Sequence, residues 1–198
     1  MLISRKSSDS ADCAARFLRE GRLVIIPTDT IYGFSGIVPE ANALIIKAKG
    51  RDEGKPFIQL IARSEDLTRY SDDSINPGLL ALWPGPVTII VRNKDGGTTA
   101  FRCPGDAWLR SVLEKTGAPV YSTSVNRAGE ASLKKIGDII AQFGAIADLI
   151  VDDGDHSEAA ASTIIDATGD TYRVIRQGAI QVPESALRFH PRRALSSA

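Results

Sequence analysis

Short runs of β-branched and apolar residues alternate along this chain with segments that show the hydrophobic periodicity of helices. The predicted strands cover residues 23–26, 57–62, 87–91, 98–102, 120–124, 149–151, 162–167 and 172–176. The first predicted helix ends near residue 20, and the others cover residues 39–50, 65–70, 76–83, 106–116 and 132–143. Turn residues at 93–97 and 168–170 make two strand pairs candidate hairpins. This pattern predicts an α/β fold, a single domain whose twisted mixed β-sheet is flanked by helices.

Length and charge narrow the class of protein. The chain has 198 residues, 43% of them hydrophobic, which is enough for one domain with a sizeable core. We expect this domain to cover residues 1–185 and a basic tail to cover 186–198. The 24 Lys and Arg residues balance 24 Asp and Glu residues, so overall charge does not favour nucleic-acid binding, and any such role would need a local basic patch.

Cysteine and histidine usage argues against a metal site. Cys13 and Cys103 are far apart, and the only histidines are His156 and His190, so no zinc-type spacing exists. Reduced thiols are the simplest interpretation. The first residues lack the apolar core of a signal peptide and no apolar run approaches membrane length, so we expect a cytoplasmic protein with no membrane association.

A polar segment, Pro-Thr-Asp-Thr, follows the first of these predicted strands. In an extended segment Thr28 and Thr30 would present their hydroxyls to one side while Asp29 points away. Such hydroxyls at the carboxyl end of a strand suit a small polar ligand. The alternative is a simple turn in which Asp29 caps its own backbone.

Four cations follow within nine residues: Lys47, Lys49, Arg51 and Lys55. Cations at a helix C-terminus also complement the helix dipole, and for Lys47 we prefer that interpretation. Lys49 and Arg51 flank Gly50, where the helix ends, and could point into one concavity. The compact ammonium of a lysine beside the planar guanidinium of an arginine suits a polyphosphate. There is no phosphate-binding glycine loop, so side chains would hold any nucleotide.

Further polar groups end other predicted strands. Ser122, Ser124 and Asn126 alternate, which would align two hydroxyls and an amide along one edge, although Asn126 could also be a turn residue. Arg102 and Arg176 each end an apolar strand, where surface ion pairing is the common alternative. Neither histidine has a serine or cysteine constellation around it, which weakens any hydrolase interpretation.

Seven segments, PTDTIYGF, KGRDEGKP, WPGPVTIIV, FRCP, STSVN, ASTIID and VIRQGAI, occur in this order between residues 21 and 180. Together they resemble the YrdC-like family, the threonylcarbamoyl-AMP synthases of tRNA modification, in its short single-domain form. The resemblance implies a reaction of L-threonine, bicarbonate or carbon dioxide, and ATP that yields threonylcarbamoyl-AMP and pyrophosphate. It also implies Mg²⁺ on the triphosphate, and tRNA and tRNA-threonylcarbamoyl-transfer proteins as partners.

The resemblance also implies roles for individual residues. Lys49 and Arg51 would be catalytic. Threonine would be bound by Thr30, Arg102, Ser124 and Ser162, with Arg102 facing its carboxylate. The ATP phosphates and nucleotide would be bound by Lys49, Arg51, Lys55, Asn126 and Arg176.

Two other functions remain open. Valine at position 125 and a short segment between residues 86 and 102 depart from the family pattern, which allows a related nucleotide-binding enzyme with another carbamoyl donor or acceptor. An RNA-binding module without catalysis is the second alternative, because Lys49, Arg51 and Lys55 could follow a phosphate backbone. The neutral charge and the lack of an aromatic stacking stripe make RNA binding weaker as the sole function.

Overall fold

A computed structural model of the chain describes residues 1–50, 54 and 56–188. Within this part, ten strands form one sheet in the order β1-β8-β2-β3-β7-β4-β6-β5-β9-β10. The strands are β1 Leu2–Ser4, β2 Val24–Ile26, β3 Gly33–Ile37, β4 Ile58–Leu60, β5 Val87–Arg92, β6 Thr98–Arg102, β7 Val120–Ser124, β8 Leu149–Asp152, β9 Thr163–Asp166 and β10 Arg173–Arg176.

The sheet is mixed, as the sequence predicts. β8 runs parallel to β1 and β2, β4 to β6, and β5 to β9, whereas the remaining neighbours are antiparallel. Both predicted hairpins are confirmed, because β5 pairs antiparallel with β6 and β9 with β10.

Helices cover both faces of the sheet. They are α1 Ser10–Arg19, α2 Asn42–Lys49, α3 Pro77–Leu80, α4 Ala107–Thr116, α5 Ile136–Phe143 and α6 Glu184–Leu187, with a 3-10 helix at Ser64–Arg69. Strand β2 shows why two layers form: Val24 and Ile26 pack with α1 and α4, while Ile25 between them packs with α2 and α5. Successive side chains of a strand point to opposite faces, so each layer buries one side of the sheet. No helix in residues 1–50, 54 and 56–188 has the length and apolarity needed to cross a bilayer.

A third core lies toward the β5-β9-β10 end of the sheet. There Leu79 and Trp83 pack with Ile89 and Phe101. The first residues of the predicted tail pack beside this core: Ala186 is buried, and the Asn76 side-chain amide donates to the Arg188 carbonyl over 2.8 Å. Residues 189–198 lie outside the described part of the chain.

The sequence analysis missed two strands, and β3 matters more because it lies between β2 and β7. Its sequence, Gly-Phe-Ser-Gly-Ile, contains two glycines and therefore lacks a strand signature. The glycines reflect close packing: a Cβ at Gly36 would lie 2.2 Å from the Cβ of Ala41, and one at Gly33 would lie 2.8 Å from the Ser122 hydroxyl. Tertiary contacts rather than local propensity therefore specify this strand.

Candidate active site

A cavity of about 230 Å³ brings together five of the predicted site residues. Its lining includes Thr30, Arg102, Ser124, Ser162 and Arg176. These residues come from the segment after β2, from β6 and β7, from the segment before β9, and from β10. The cavity is smaller than the roughly 300–1,000 Å³ of sites for drug-sized ligands, which suits a small polar molecule.

A β-bulge directs Arg176 toward this cavity. In β10, Val174 pairs with Ile165 and Arg176 pairs with Ile164, so Ile175 is an additional residue without a partner in β9. In a regular strand Val174 and Arg176 would share a face. The inserted residue reverses the side on which Arg176 lies, which is a common use of bulges near functional sites.

Arg102 is a buried cation with donors to spare. The residue is 4% exposed, and its Nη1 donates to the Thr30 hydroxyl over 2.9 Å. Its Nη2 is 3.5 Å from Asp29 Oδ1, and its Nε has no hydrogen-bond partner among the described residues. Burial lowers the pKa of Arg102, Asp29 opposes that shift, and Arg176 adds to it. A buried guanidinium with unused N–H groups is a strong site for an anionic ligand.

Thr28 and Thr30 lie on one side, as predicted, with their hydroxyl oxygens 2.8 Å apart. The Thr28 hydroxyl donates to the Ile31 carbonyl over 2.7 Å, so the proton between the two threonines comes from Thr30. Arg102 donates to Thr30 as well. The Thr30 oxygen can therefore only accept a hydrogen bond from a ligand.

Asn126 fixes the direction of the Ser124 hydroxyl, as Thr28 and Arg102 do for Thr30. The Ser124 hydroxyl donates to Asn126 Oδ1 over 2.6 Å, because an amide oxygen can only accept. The same oxygen accepts from the Lys49 ammonium at 2.9 Å. The Asn126 side-chain nitrogen donates to the carbonyls of Arg127 and Glu130, which fixes the amide orientation. Ser124 can therefore offer a ligand only its lone pairs.

Lys49 is buried next to Ser124 and Asn126, on the Ser124 side of the cavity. It is 4% exposed, and besides Asn126 Oδ1 its ammonium donates to the carbonyls of Ser124 over 2.7 Å and Asn126 over 3.3 Å. The structure thus places Lys49 and Asn126 where they shape the loop after β7. Their direct contact with ATP phosphates stays a prediction.

Ser162 and Arg176 form the opposite wall. Arg176 donates through Nε and Nη2 to the Ser162 carbonyl over 3.1 and 2.9 Å, and Nη2 also reaches the Ser162 hydroxyl at 3.2 Å. The Ser162 hydroxyl is 2.8 Å from the Thr88 hydroxyl. Burial lowers the pKa of Arg176. Gly178 permits this arrangement, because a Cβ there would lie 2.2 Å from the Ala161 carbonyl oxygen.

Arg51 and Lys55 lie outside the described residues, so their assignment to catalysis and phosphate binding stays a prediction.

Sequence reasoning missed two residues of the site region. Tyr32 lines the cavity, and its hydroxyl donates to the Gly154 carbonyl over 2.9 Å and accepts from the Asp153 amide over 2.8 Å. Desolvation raises the pKa of Tyr32 to about 12. Thr88 supports Ser162 from inside β5. Tyr32 is two residues after Thr30, so the alternation of side chains along the segment could have identified it. Thr88 lies within a β-branched strand, where a threonine gives no functional signal.

A family model provides the decisive comparison. The Sua5_yciO_yrdC model, described as telomere recombination, matches residues 16–178. The chain belongs to the Sua5/YciO/YrdC family. This membership confirms the resemblance inferred from the seven segments, and the matched region contains all of the residues predicted to form the site.

Individual members of the family are similar over most of this chain. A threonylcarbamoyl-AMP synthase of Pyrococcus abyssi is 30% identical over 197 residues, covering 90% of this chain and 58% of that protein. One from Bos taurus is 30% identical over 91% of this chain and 72% of the relative. This chain therefore spans little more than half of the archaeal protein.

A solved structure agrees with the predicted fold. The crystal structure of P. abyssi Sua5 complexed with L-threonine superposes with a TM-score of 0.82 at 27% identity. The match covers 90% of this chain and 57% of the other. The YrdC-like fold is confirmed.

Proposed function

We propose that this chain catalyses the ATP-dependent synthesis of threonylcarbamoyl-AMP from L-threonine, bicarbonate or carbon dioxide, and ATP, with release of pyrophosphate. The observation that carries the proposal is the cavity in which buried Arg102 faces two hydroxyls that can only accept hydrogen bonds, Thr30 and Ser124. Relatives named threonylcarbamoyl-AMP synthase support the proposal, as does the L-threonine complex of P. abyssi Sua5.

The cavity offers complementary groups for each part of threonine. The carboxylate would complete the hydrogen bonding of Arg102, whose Nη groups are underused. Thr30 and Ser124 would accept from the N–H and O–H groups of the amino acid. A site that accepts a substrate hydroxyl proton discriminates strongly against an analogue without it, so valine should be a poor substrate.

The reaction has two steps. The threonine amine first forms a C–N bond with bicarbonate, releasing water, or with carbon dioxide, releasing a proton to solvent, to give a carbamate. A carbamate oxygen then attacks the α-phosphorus of ATP, and pyrophosphate leaves with the bonding electrons. Because both reactants are anions, the protein must neutralise their repulsion and hold them in line. Arg176, which lines the cavity, would supply one of the positive charges.

We assign the ATP phosphates to Arg176 together with Lys49, Arg51, Lys55 and Asn126, following the family pattern. ATP would enter as its Mg²⁺ complex, with the ion held by phosphate and water oxygens. No described side chain is needed as a general base, since solvent can deprotonate the threonine amine.

We further propose that the product passes to tRNA through tRNA-threonylcarbamoyl-transfer proteins in the cytoplasm. Threonylcarbamoyl-AMP is an acyl adenylate, so a nucleophile on an acceptor must consume it. Support for this step comes from the family alone.

The test is pyrophosphate release from ATP, Mg²⁺ and bicarbonate, measured with and without L-threonine, with serine and valine as controls. Release that requires both bicarbonate and threonine is the expected result. Release with another amino acid instead would favour a related enzyme with a different acceptor. ATP binding without release would refute the synthase activity, and salt-sensitive RNA binding without ATP binding would favour the RNA module.

A further inference from the structure

Asp29 contacts the key arginine of the cavity without lining the cavity itself. Its Oδ1 is 3.5 Å from Arg102 Nη2, and it is the acidic partner of Arg102 within residues 1–50, 54 and 56–188. Arg102 lines the cavity and Asp29 does not, although the two side chains are in contact. An anionic ligand would therefore meet Arg102 and not the carboxylate.

The loop after β6 fixes the orientation of Asp29. Its Oδ2 accepts the Gly105 amide over 2.7 Å. The carbonyls of Pro104 and Gly105 accept Arg110 Nη1 over 2.9 and 2.8 Å, which ties this loop to α4. With one oxygen held in this way, Asp29 Oδ1 is directed to Arg102 and has no hydrogen bond of its own among the described residues.

The charge of Arg102 makes such a partner necessary. Removing a guanidinium from water is costly unless a counter-charge lies nearby, and Arg176 adds a second positive charge to the same cavity. Thr30 supplies one neutral acceptor, at Nη1. Asp29 therefore balances the charge of Arg102 and fixes the Nη2 end of its guanidinium.

Given the activity proposed above, we propose that Asp29 is a positioning residue that holds Arg102 in the orientation that receives the carboxylate of the amino-acid substrate. It acts through Arg102 and does not touch the substrate. Threonine binding should depend on Asp29 only while Arg102 is present. A purely structural link between the segment 27–30 and the loop 103–105 would instead affect stability alike in both backgrounds.

A double-mutant cycle separates these roles. Asp29→Asn keeps the size of the side chain and one oxygen for the Gly105 amide, but it removes the charge and turns an NH₂ group toward Arg102. Arg102→Gln is the second single variant, and Asp29→Asn/Arg102→Gln completes the cycle. Asp12→Asn is the control, because Asp12 loses only an exposed ion pair with Lys115.

The readouts are the KM values for L-threonine and ATP, kcat, threonine binding by calorimetry, and melting temperature. Asp29→Asn should weaken threonine binding roughly ten- to one-hundred-fold, because it removes the counter-charge of a buried guanidinium and turns an N–H group toward it, with little change in KM for ATP. In the Arg102→Gln background the same change should cost less than two-fold, as should Asp12→Asn in the wild-type background.

An equal effect of Asp29→Asn in both backgrounds would overturn the proposal, and so would unchanged threonine binding by a folded Asp29→Asn protein. If the wild-type protein binds threonine but releases no pyrophosphate, the proposed synthase activity fails, and calorimetry alone still decides the role of Asp29. A wild-type protein that binds no threonine would refute both.

Discussion

Replacing Lys49 with methionine tests whether this buried lysine serves the loop after β7. Methionine retains an unbranched apolar stem but removes the ammonium, which donates to the carbonyls of Ser124 and Asn126 and to Asn126 Oδ1. Hydrogen bonds to a charged group contribute about 1.5–3 kcal/mol each, but they are not additive, and removing the charge relieves the desolvation of Lys49. We expect the free energy of unfolding to fall by about 2–4 kcal/mol.

Loss of the Lys49 ammonium should also weaken the proposed contact of Ser124 with threonine. Without Lys49, Asn126 Oδ1 no longer has two donors, and the Ser124 hydroxyl loses its fixed direction. Lys49→Met should therefore raise KM for L-threonine as well as impair ATP use. Urea denaturation and pyrophosphate release measure the two effects. Lys47→Met, an exposed change on the same helix, should alter stability by less than about 0.5 kcal/mol.

One result would refute this reasoning. If Lys49→Met is as stable as the wild-type protein and keeps its KM for threonine, while ATP binding alone is lost, Lys49 contacts the phosphates and does not orient the loop. That outcome would support the role predicted from the sequence.

Three further changes test Gly178 and the Ile175 bulge, on the side of the cavity formed by Ser162 and Arg176, and Tyr32 in the cavity lining. Gly178→Ala places a Cβ against the Ala161 carbonyl oxygen, so we expect denaturation to show a loss of about 1–3 kcal/mol and KM for threonine to rise. Deleting Ile175, an exposed residue, removes the bulge but makes Arg176 the direct neighbour of Val174 opposite Ile164, so Arg176 should still face the cavity and a folded protein should keep its turnover. Tyr32 has its pKa raised to about 12 by desolvation, so its contribution to stability is complete below its ordinary value of 10 and is lost as pH rises through 12. Tyr32→Phe should be about 1–2 kcal/mol less stable at neutral pH, but should lose less stability than the wild-type protein in alkaline denaturation between pH 10 and 12.

Matched changes control these experiments. Gly137→Ala adds a Cβ into open space and should not destabilise the protein, and Ile175→Ala keeps the bulge and should keep turnover. A fully stable Gly178→Ala protein would contradict the close packing at that position. A large loss of turnover in a folded protein lacking Ile175 would show that the bulge itself is needed, and not only the side on which Arg176 lies. Equal alkaline loss of stability with and without the Tyr32 hydroxyl would show that Tyr32 does not control that transition.

Alternation along strands made part of the site predictable. Thr28 and Thr30, and Ser122 and Ser124, occur at spacings that place both members of a pair on one side, and both pairs line the cavity. Arg102 and Arg176 were found because an arginine that ends an apolar strand needs a partner or a ligand. These inferences need only a local period of two residues, which the sequence displays directly.

The remaining features depend on contacts between distant parts of the chain. Lys49 was predicted to bind phosphate, which stays a prediction; the sequence did not show that its ammonium also donates to the Ser124 carbonyl, 75 residues away along the chain. Arg176 reaches the cavity through a bulge that composition does not reveal. The sequence predicted that Asp29 points away from the two threonines, but it could not show that Arg102 contacts both Thr30 and Asp29.

The cavity residues enter the sheet from both halves of the chain, from Thr30 near the start to Arg176 on an edge strand whose residues are all exposed. A bound amino acid would therefore act as a non-covalent cross-link between early and late segments. At a concentration one hundred times its Kd, a ligand that binds only the folded state adds about 2.7 kcal/mol of stability. A ligand in this cavity, threonine under the function proposed above, would then protect β10 from fraying.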